Sequence, residues 1–268
     1  MSAVLSPREV PDWLLARGRH FVTTNELAEL VGVEPAKVHL SMNRARAARK
    51  IVSVTKGGWV PVAPEYRDAG APPPLLYIDQ LMRHLGHPHY VGLLSAARIH
   101  GASHQAPMVV QVVTPARLRD RTIGSSRIQY IRRANAADRP TQQHNVSTGR
   151  VTISTVETTI LDLVEAPDLA AGLGNVATII GDLALDQLID PKAIAKAAAL
   201  YPTTVAQRAG YLIEHMCSAS RAAPIDLDRL AADIARTDYT SLDLRSPADG
   251  DRNEQWRIII NTAVEHDL

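Results

Sequence analysis

The run 37-KVHLSMNRARAARKIVSVTK-56 carries Lys37, Arg44, Arg46, Arg49, Lys50 and Lys56 and no acid. Cations at this density suit phosphate neutralisation, while an Arg fork fits guanine and a carboxamide such as Asn43 fits adenine in a duplex major groove. The charge is local. Residues 1–62 hold nine Lys/Arg against five acids, within a chain of 268 residues whose net charge is only +1. Such asymmetry points to a polyanion partner for the N-terminal part, against the bland reading that a charge run is a solvated or protein-packing face.

Other constellations carry less. His84, His87, His89, His100, His104 and His144 account for six of the ten histidines, and 87-HPH-89 or His100/His104 could each offer two imidazoles. No Cys lies near them and no Glu follows the first His as in a zinc protease helix, so no metal is expected. The run 172-GLGNVA-177 fits a loose dinucleotide fingerprint but follows 162-DLVEAPDLAA-171 rather than a strand, so it reads as a loop entering a helix. Asp168 with 190-DPK-192 spells the acid and D-x-K elements of metal-dependent nucleases. Asp before an N1 proline is better explained as a helix cap, and neither a nucleophile elbow nor a phosphate loop is present. No catalytic residue, cofactor or metal is therefore expected, and the chain is read as a non-enzyme.

The elements that must position the basic run are legible. Val10, Trp13 and Leu14 share a helical face that Gly18 stops. The sequence 23-TTNE-26 fits a capping box with Thr23 as N-cap, opening a helix whose Leu27, Leu30 and Val31 point inward and which Gly32 closes. Pro35 fits the first position of a third helix, with Val38, Met42 and Ala45 inward at i, i+4 and i+7. Outside that stripe lie Lys37, His39, Ser41, Asn43, Arg44, Arg46, Arg49 and Lys50. Then 51-IVSV-54 and 59-WVPV-62 flank a Gly turn as two short strands, with Lys56 at the tip. Three helices and a hairpin in this order predict a winged helix-turn-helix.

The Pro/Ala/Gly-rich stretch 63–74 reads as a linker. The expected organisation is 1–62 winged helix-turn-helix, 63–74 linker and 75–268 a larger mixed α+β domain, so the fold class is α+β. In that last part 89–101 reads as a helix, 108–114, 127–133 and 150–154 as strands, and 154-STVE-157 as a second capping box opening 158–166. Stretches 173–190, 191–201, 204–216 and 226–236 read as helices and 256–261 as a strand. Residues 98–133 carry Arg98, Arg117, Arg119, Arg121, Arg127, Arg132 and Arg133 against Asp120 alone, whereas 157–190 carries seven acids and no Lys or Arg. The two blocks form either opposed faces or internal ion pairs. One cysteine, Cys217, allows no internal disulfide, and no leader or apolar span is evident, so the cytoplasm is the expected compartment.

The chain resembles AbiEi family antitoxins, partners of nucleotidyltransferase toxins in bacterial type IV toxin–antitoxin operons. The resemblance rests on residues 24–62, 90-YVGLLSAARIHGASHQAPMVVQVVTP-115, 152-TISTVETTILDLVEAP-167 and 255-QWRIIIN-261; at the wing, where the family often has Gly followed by Tyr or Trp, stands Gly58-Trp59. It implies a winged helix that binds inverted repeats in double-stranded DNA at its own promoter and represses the operon, and a second domain that antagonises the toxin, directly or indirectly. By that resemblance Lys37, Asn43, Arg44, Arg46, Arg49 and Lys56 are DNA contacts, and the arginines from 98 to 133 are candidates for the second activity. The competing reading is a winged-helix regulator whose second domain senses a small molecule in a pocket near His100 and His104.

Overall fold

The computed structural model describes residues 4–102, 109–234 and 237–264 and divides into two compact units, each built from several stretches of chain. The first comprises Met1–Tyr90, Met108–Ala137 and Gln143–Thr152; the second comprises Val91–Pro107, Asp138–Gln142 and Ile153–Leu268.

In the first unit, α1 (Val10–Leu15), β1 (Val22–Thr23), α2 (Thr24–Val31), a 3-10 turn (Pro35–Lys37), α3 (Val38–Ser41) and α4 (Asn43–Ala47) precede the hairpin β2 (Ile51–Thr55) and β3 (Gly58–Pro61). The expected third helix is thus a 3-10 turn and two short α segments separated at Met42. The break is slight, because Met42 N–H bonds Val38 O at 2.9 Å and Arg46 N–H bonds Met42 O at 2.9 Å, keeping the i to i−4 ladder running through it. Val10, Leu14, Leu27, Val38, Met42 and Trp59 are fully buried in one cluster with Val22, Ala45 and Ile51.

The capping box forms as the sequence predicts: Thr23 Oγ1 accepts from Glu26 N–H at 3.2 Å, and Glu26 Oε2 accepts from Thr23 N–H at 2.7 Å. Burial alone would raise the Glu26 carboxyl, but the Thr23 N–H and the Thr23 hydroxyl, which both donate to Glu26 Oε2, and the Arg19 guanidinium beside it hold it below its ordinary value. Gly32 closes α2 in the left-handed conformation at φ 70°. Thr23 also pairs in register with Gly58 in the sheet ordered β1-β3-β2, and Trp59 Nε1 donates to Thr24 Oγ1 at 2.9 Å, so the hairpin is bolted to the start of α2.

The stretch 63–74 holds 3-10 turns at Pro64–Tyr66 and from Pro74 onward, and Ala71 is buried; Ser125 N–H bonds Ala69 O at 2.8 Å. The unit continues past it through α5 (Ile78–Leu85), β4 (Tyr90–Val91), β5 (Val109–Thr114), β6 (Arg121–Ile123), β7 (Ser126–Arg132), β8 (Thr141–Val146) and β9 (Gly149–Ser154). These six strands form one sheet ordered β6-β7-β5-β4-β9-β8, with β5 and β7 parallel, and β6 and β7 an antiparallel hairpin. The division between the units falls within β4, β8 and β9.

The second unit contains α6 (Leu93–Ile99), α7 (Val156–Glu165), α8 (Leu173–Leu185), α9 (Pro191–Ala198), α10 (Thr203–Ser220) and α11 (Asp228–Ile234), with a small sheet of β10 (Thr240–Ser241), β11 (Asp251–Asn253) and β12 (Ile258–Ile260). The expected cap of α7 moves by one residue. Thr155, not Ser154, is the N-cap, accepting from Thr158 N–H at 3.2 Å. Ser154 is buried and hydrogen-bonded to Thr159, while Glu157 accepts from Asp190 N–H instead of closing a box. Asp190 caps α9 through Lys192 N–H and Ala193 N–H, as its place before Pro191 predicts.

Candidate nucleic-acid interface

The burial of Val38, Met42 and Ala45 at one helical phase turns the intervening positions outward. Lys37, His39, Asn43, Arg44, Arg46 and Arg49 are exposed and Ser41 is half-buried. Their commitments differ. Arg44, Arg46 and Asn43 make no side-chain hydrogen bond or ion pair among the described residues. Lys37 lies 3.4 Å from Glu34 with both side chains solvated, a contact of little strength. His39 leans on Trp59 with ring centroids 4.5 Å apart.

Two of the nine predicted contacts are tethered to the fold. Lys50 Nζ is 2.7 Å from Asp12 of α1, and Arg49 Nη1 donates to the carbonyls of Arg67 and Asp68 at 3.4 and 3.3 Å. Arg49 also adopts φ 51°, the left-handed turn by which the chain leaves α4 for β2. Neither bond was visible in the sequence, since the partners lie 38 and about 18 positions away.

At the hairpin tip Lys56 is exposed, and Gly57 takes φ 78°. A Cβ on Gly58 would come within 2.7 Å of Phe21 and Thr55, so the turn needs both glycines. His84 of α5 braces the tip, its Nε2 3.2 Å from Lys56 O and its ring against Phe21. A shallow groove beside it is lined by His39, Ser53, Lys56, Arg121 and Thr122.

The other predicted arginines divide. Arg117 and Arg119 are exposed and make no side-chain bond among the described residues. Arg121 is half-buried and donates to Val54 O at 3.3 Å; Arg127 pairs with Asp120 at 2.6 Å; Arg132 donates to Pro115 O, and Arg133 to Arg132 O. Arg98 is exposed on α6 in the second unit.

Sequence reading missed two features. Leu40 is 73% exposed in α3, a position the Val38/Met42/Ala45 phase would have placed outward. In the second unit Arg139 is buried with Asp162 at 2.5 Å and Glu165 at 3.0 Å, its guanidinium 4.0 Å over the Tyr201 ring and the Tyr201 hydroxyl 2.8 Å from Asp162. The acidic block 157–190 is therefore partly paired internally, through an arginine outside the 98–133 block.

Of the histidines between 84 and 144, His84, His89 and His100 are engaged in ordinary contacts. His89 lies 2.9 Å from Asp79, and His100 bonds Ser154 O at 3.0 Å, while His104 lies outside the described residues. Among the described residues no group of His, Cys, Asp or Glu is arranged to hold a metal. Asp168 is ion-paired with Arg245 and Asp190 is occupied as a cap, so each acid of the nuclease pattern is engaged in another contact. No helix among the described residues is long and apolar enough to cross a membrane.

Fold and site together define a mixed α+β protein whose N-terminal helices and hairpin present an exposed cationic face. Its fold is similar to the crystal structure of RV2827C protein from Mycobacterium tuberculosis, with TM-score 0.65 over 97% of this chain and 92% of that chain at 16% identity; at that identity the likeness is one of fold. No curated protein matches the chain. Residues 90–215 match the AbiEi antitoxin C-terminal domain, and the resemblance drawn from sequence is borne out there. The match supports an antitoxin role in a toxin–antitoxin system.

Proposed function

We propose that the chain is a cytoplasmic antitoxin that binds double-stranded DNA at its own promoter, represses its operon, and counteracts a nucleotidyltransferase toxin. It acts by binding rather than by catalysis, and residues 1–62 are its DNA-reading module. The observation that carries the DNA half is the pairing state of the third helical segment: Arg44, Arg46 and Asn43 are exposed and uncommitted, on a face free of acids. Such a set suits phosphate neutralisation and base-edge contact, with Lys56 placed to touch the backbone beside it. Arg49 and Lys50 hold the helix end to the rest of the unit. Arg117, Arg119 and Arg98 offer cations for the second activity.

Because the first unit continues beyond residue 62, the test uses the full chain. Binding to the DNA just upstream of its gene is measured across salt concentrations for wild type and for the double variant Arg44→Ala/Arg46→Ala. The expected result is salt-sensitive wild-type binding, with the double variant weaker and its salt slope lower by about two. Equal binding by both proteins would remove the recognition-face assignment.

A ligand-sensing regulator is the second reading, favoured by a cleft of about 420 Å³ in the second unit between Asp168, Leu173, Arg208, Leu244 and Arg245. Co-expression with the product of the neighbouring gene, tested first for toxicity on its own, separates the two. Growth rescue by the full chain supports the antitoxin, whereas no rescue at matched expression leaves the sensor.

A further inference from the structure

Leu40 occupies an unusual place for a large apolar side chain. At about 100° per residue, Leu40, Asn43, Arg44 and Ala47 lie opposite the buried Val38, Met42 and Ala45. The unbroken bonds from Met42 to Val38, Arg46 to Met42 and Ala48 to Arg44 keep that phase across the break. Leu40 is 73% exposed, and around it stand Lys37, His39, Asn43 and Arg44 with no acid. A lone exposed leucine is ordinary on a protein surface. In the middle of a cationic face it is placed for a polyanion, which supplies counter-charges to those cations as the face is covered.

Resting on the DNA-binding reading above, we propose that Leu40 is a specificity-determining residue that packs on the C5-methyl group of thymine in the major groove. If Arg44, Arg46 and Lys37 engage phosphates or guanines at the edges of the face, the side chain at its centre meets the groove floor. There the thymine methyl is the one apolar group a base pair presents. Asn43, one turn further along the same face, is placed for a neighbouring adenine, so the two residues together favour A·T pairs near the centre of each half-site.

The test compares the DNA upstream of the gene, synthesised with thymine or with uracil at every thymine position, for full-length wild type and Leu40→Ala. The two DNAs differ only in the methyl groups. Wild type is expected to bind the thymine DNA more tightly, by about fourfold for each methyl packed. Leu40→Ala is expected to lose that preference while unfolding at the wild-type temperature, because the removed atoms are solvated in the free protein. A preference that persists in Leu40→Ala would come from DNA shape and overturn the proposal, as would equal wild-type affinity for both DNAs. A change in oligomeric mass in Leu40→Ala with the thymine preference intact would reassign the residue to a contact between copies. Failure of wild type to bind either DNA in a salt-sensitive way would instead sink the DNA-binding reading itself.

Discussion

Arg44 and Arg139 are the same residue put to opposite uses in the two units. Arg44 stands in solvent with no partner among the described residues, whereas Arg139 is buried with Asp162, Glu165 and Tyr201 around its guanidinium. An uncommitted cation adds almost nothing to folding and remains available to an external anion. A buried one is fully spent on the fold, because leaving its carboxylates unpaired in a dry interior is costly. Two intermediate pairs in the first unit fill the scale: Asp79–His89, whose side chains are 14% and 10% exposed, and Asp12–Lys50, at 52% and 30%. The lesson is that pairing and burial, not charge count, decide what an arginine is for.

The largest effect expected along this scale is that of Arg139→Ala, about 3–5 kcal/mol of lost stability in urea unfolding, because Asp162 is left buried without its counter-charge. Arg44→Ala is the matched control, expected to stay within about 0.5 kcal/mol of wild type. If the two variants lose similar stability, the contrast between the units is wrong.

Next comes a pH dependence. Burial alone would raise the Asp79 carboxyl, but His89 and the Thr152 hydroxyl and N–H hold it below its ordinary value of 3.8. A folded-state value below the unfolded one gives stability that is present above pH 3.8 and lost as the pH falls through the folded value. Wild type is therefore expected to exceed Asp79→Asn in stability at neutral pH, with the gap narrowing in acid. A gap constant from pH about 6 down to pH about 2 would show that the carboxyl titrates alike in both states.

The smallest effect sharpens the scale at its exposed end. Lys50→Ala breaks an ion pair in which Asp12 is half in solvent, so a loss of no more than about 1 kcal/mol is expected, shrinking at high salt. Its effect on DNA affinity is expected to be smaller than that of Arg46→Ala in the same titration.

Local signals were the legible ones. The Thr23/Glu26 box, the Asp190–Pro191 cap and the Val38/Met42/Ala45 stripe depend on neighbours within one or two helical turns, and each stands where its spacing put it. At α7 two adjacent hydroxyl residues competed for one cap, and the choice fell on burial: Ser154 is consumed by Thr159, which leaves Thr155 to the helix. Strand β8, Thr141–Val146, was not anticipated because its polar side chains are largely exposed and carry no apolar alternation. Helix α5 went unseen behind the proline run 72–74. In the candidate interface the outward residues were legible from phase, but which of them are free was not. The tethers of Arg49 and Lys50 cross the unit to segments distant in sequence, as do those of Arg139.

On the DNA-binding function proposed above, the way α3 and α4 divide their side chains also bears on how related operons in one cell would keep from answering to each other's proteins. Positions 37, 40, 43, 44, 46 and 47 are solvent-exposed and lie apart from the capping box and the buried cluster. Substitutions there would, on that reading, alter the groups offered to DNA at little cost to folding. Duplicated copies of such a chain are thus free to drift in the sequences they read, and to become insulated regulators, while every copy keeps the same scaffold.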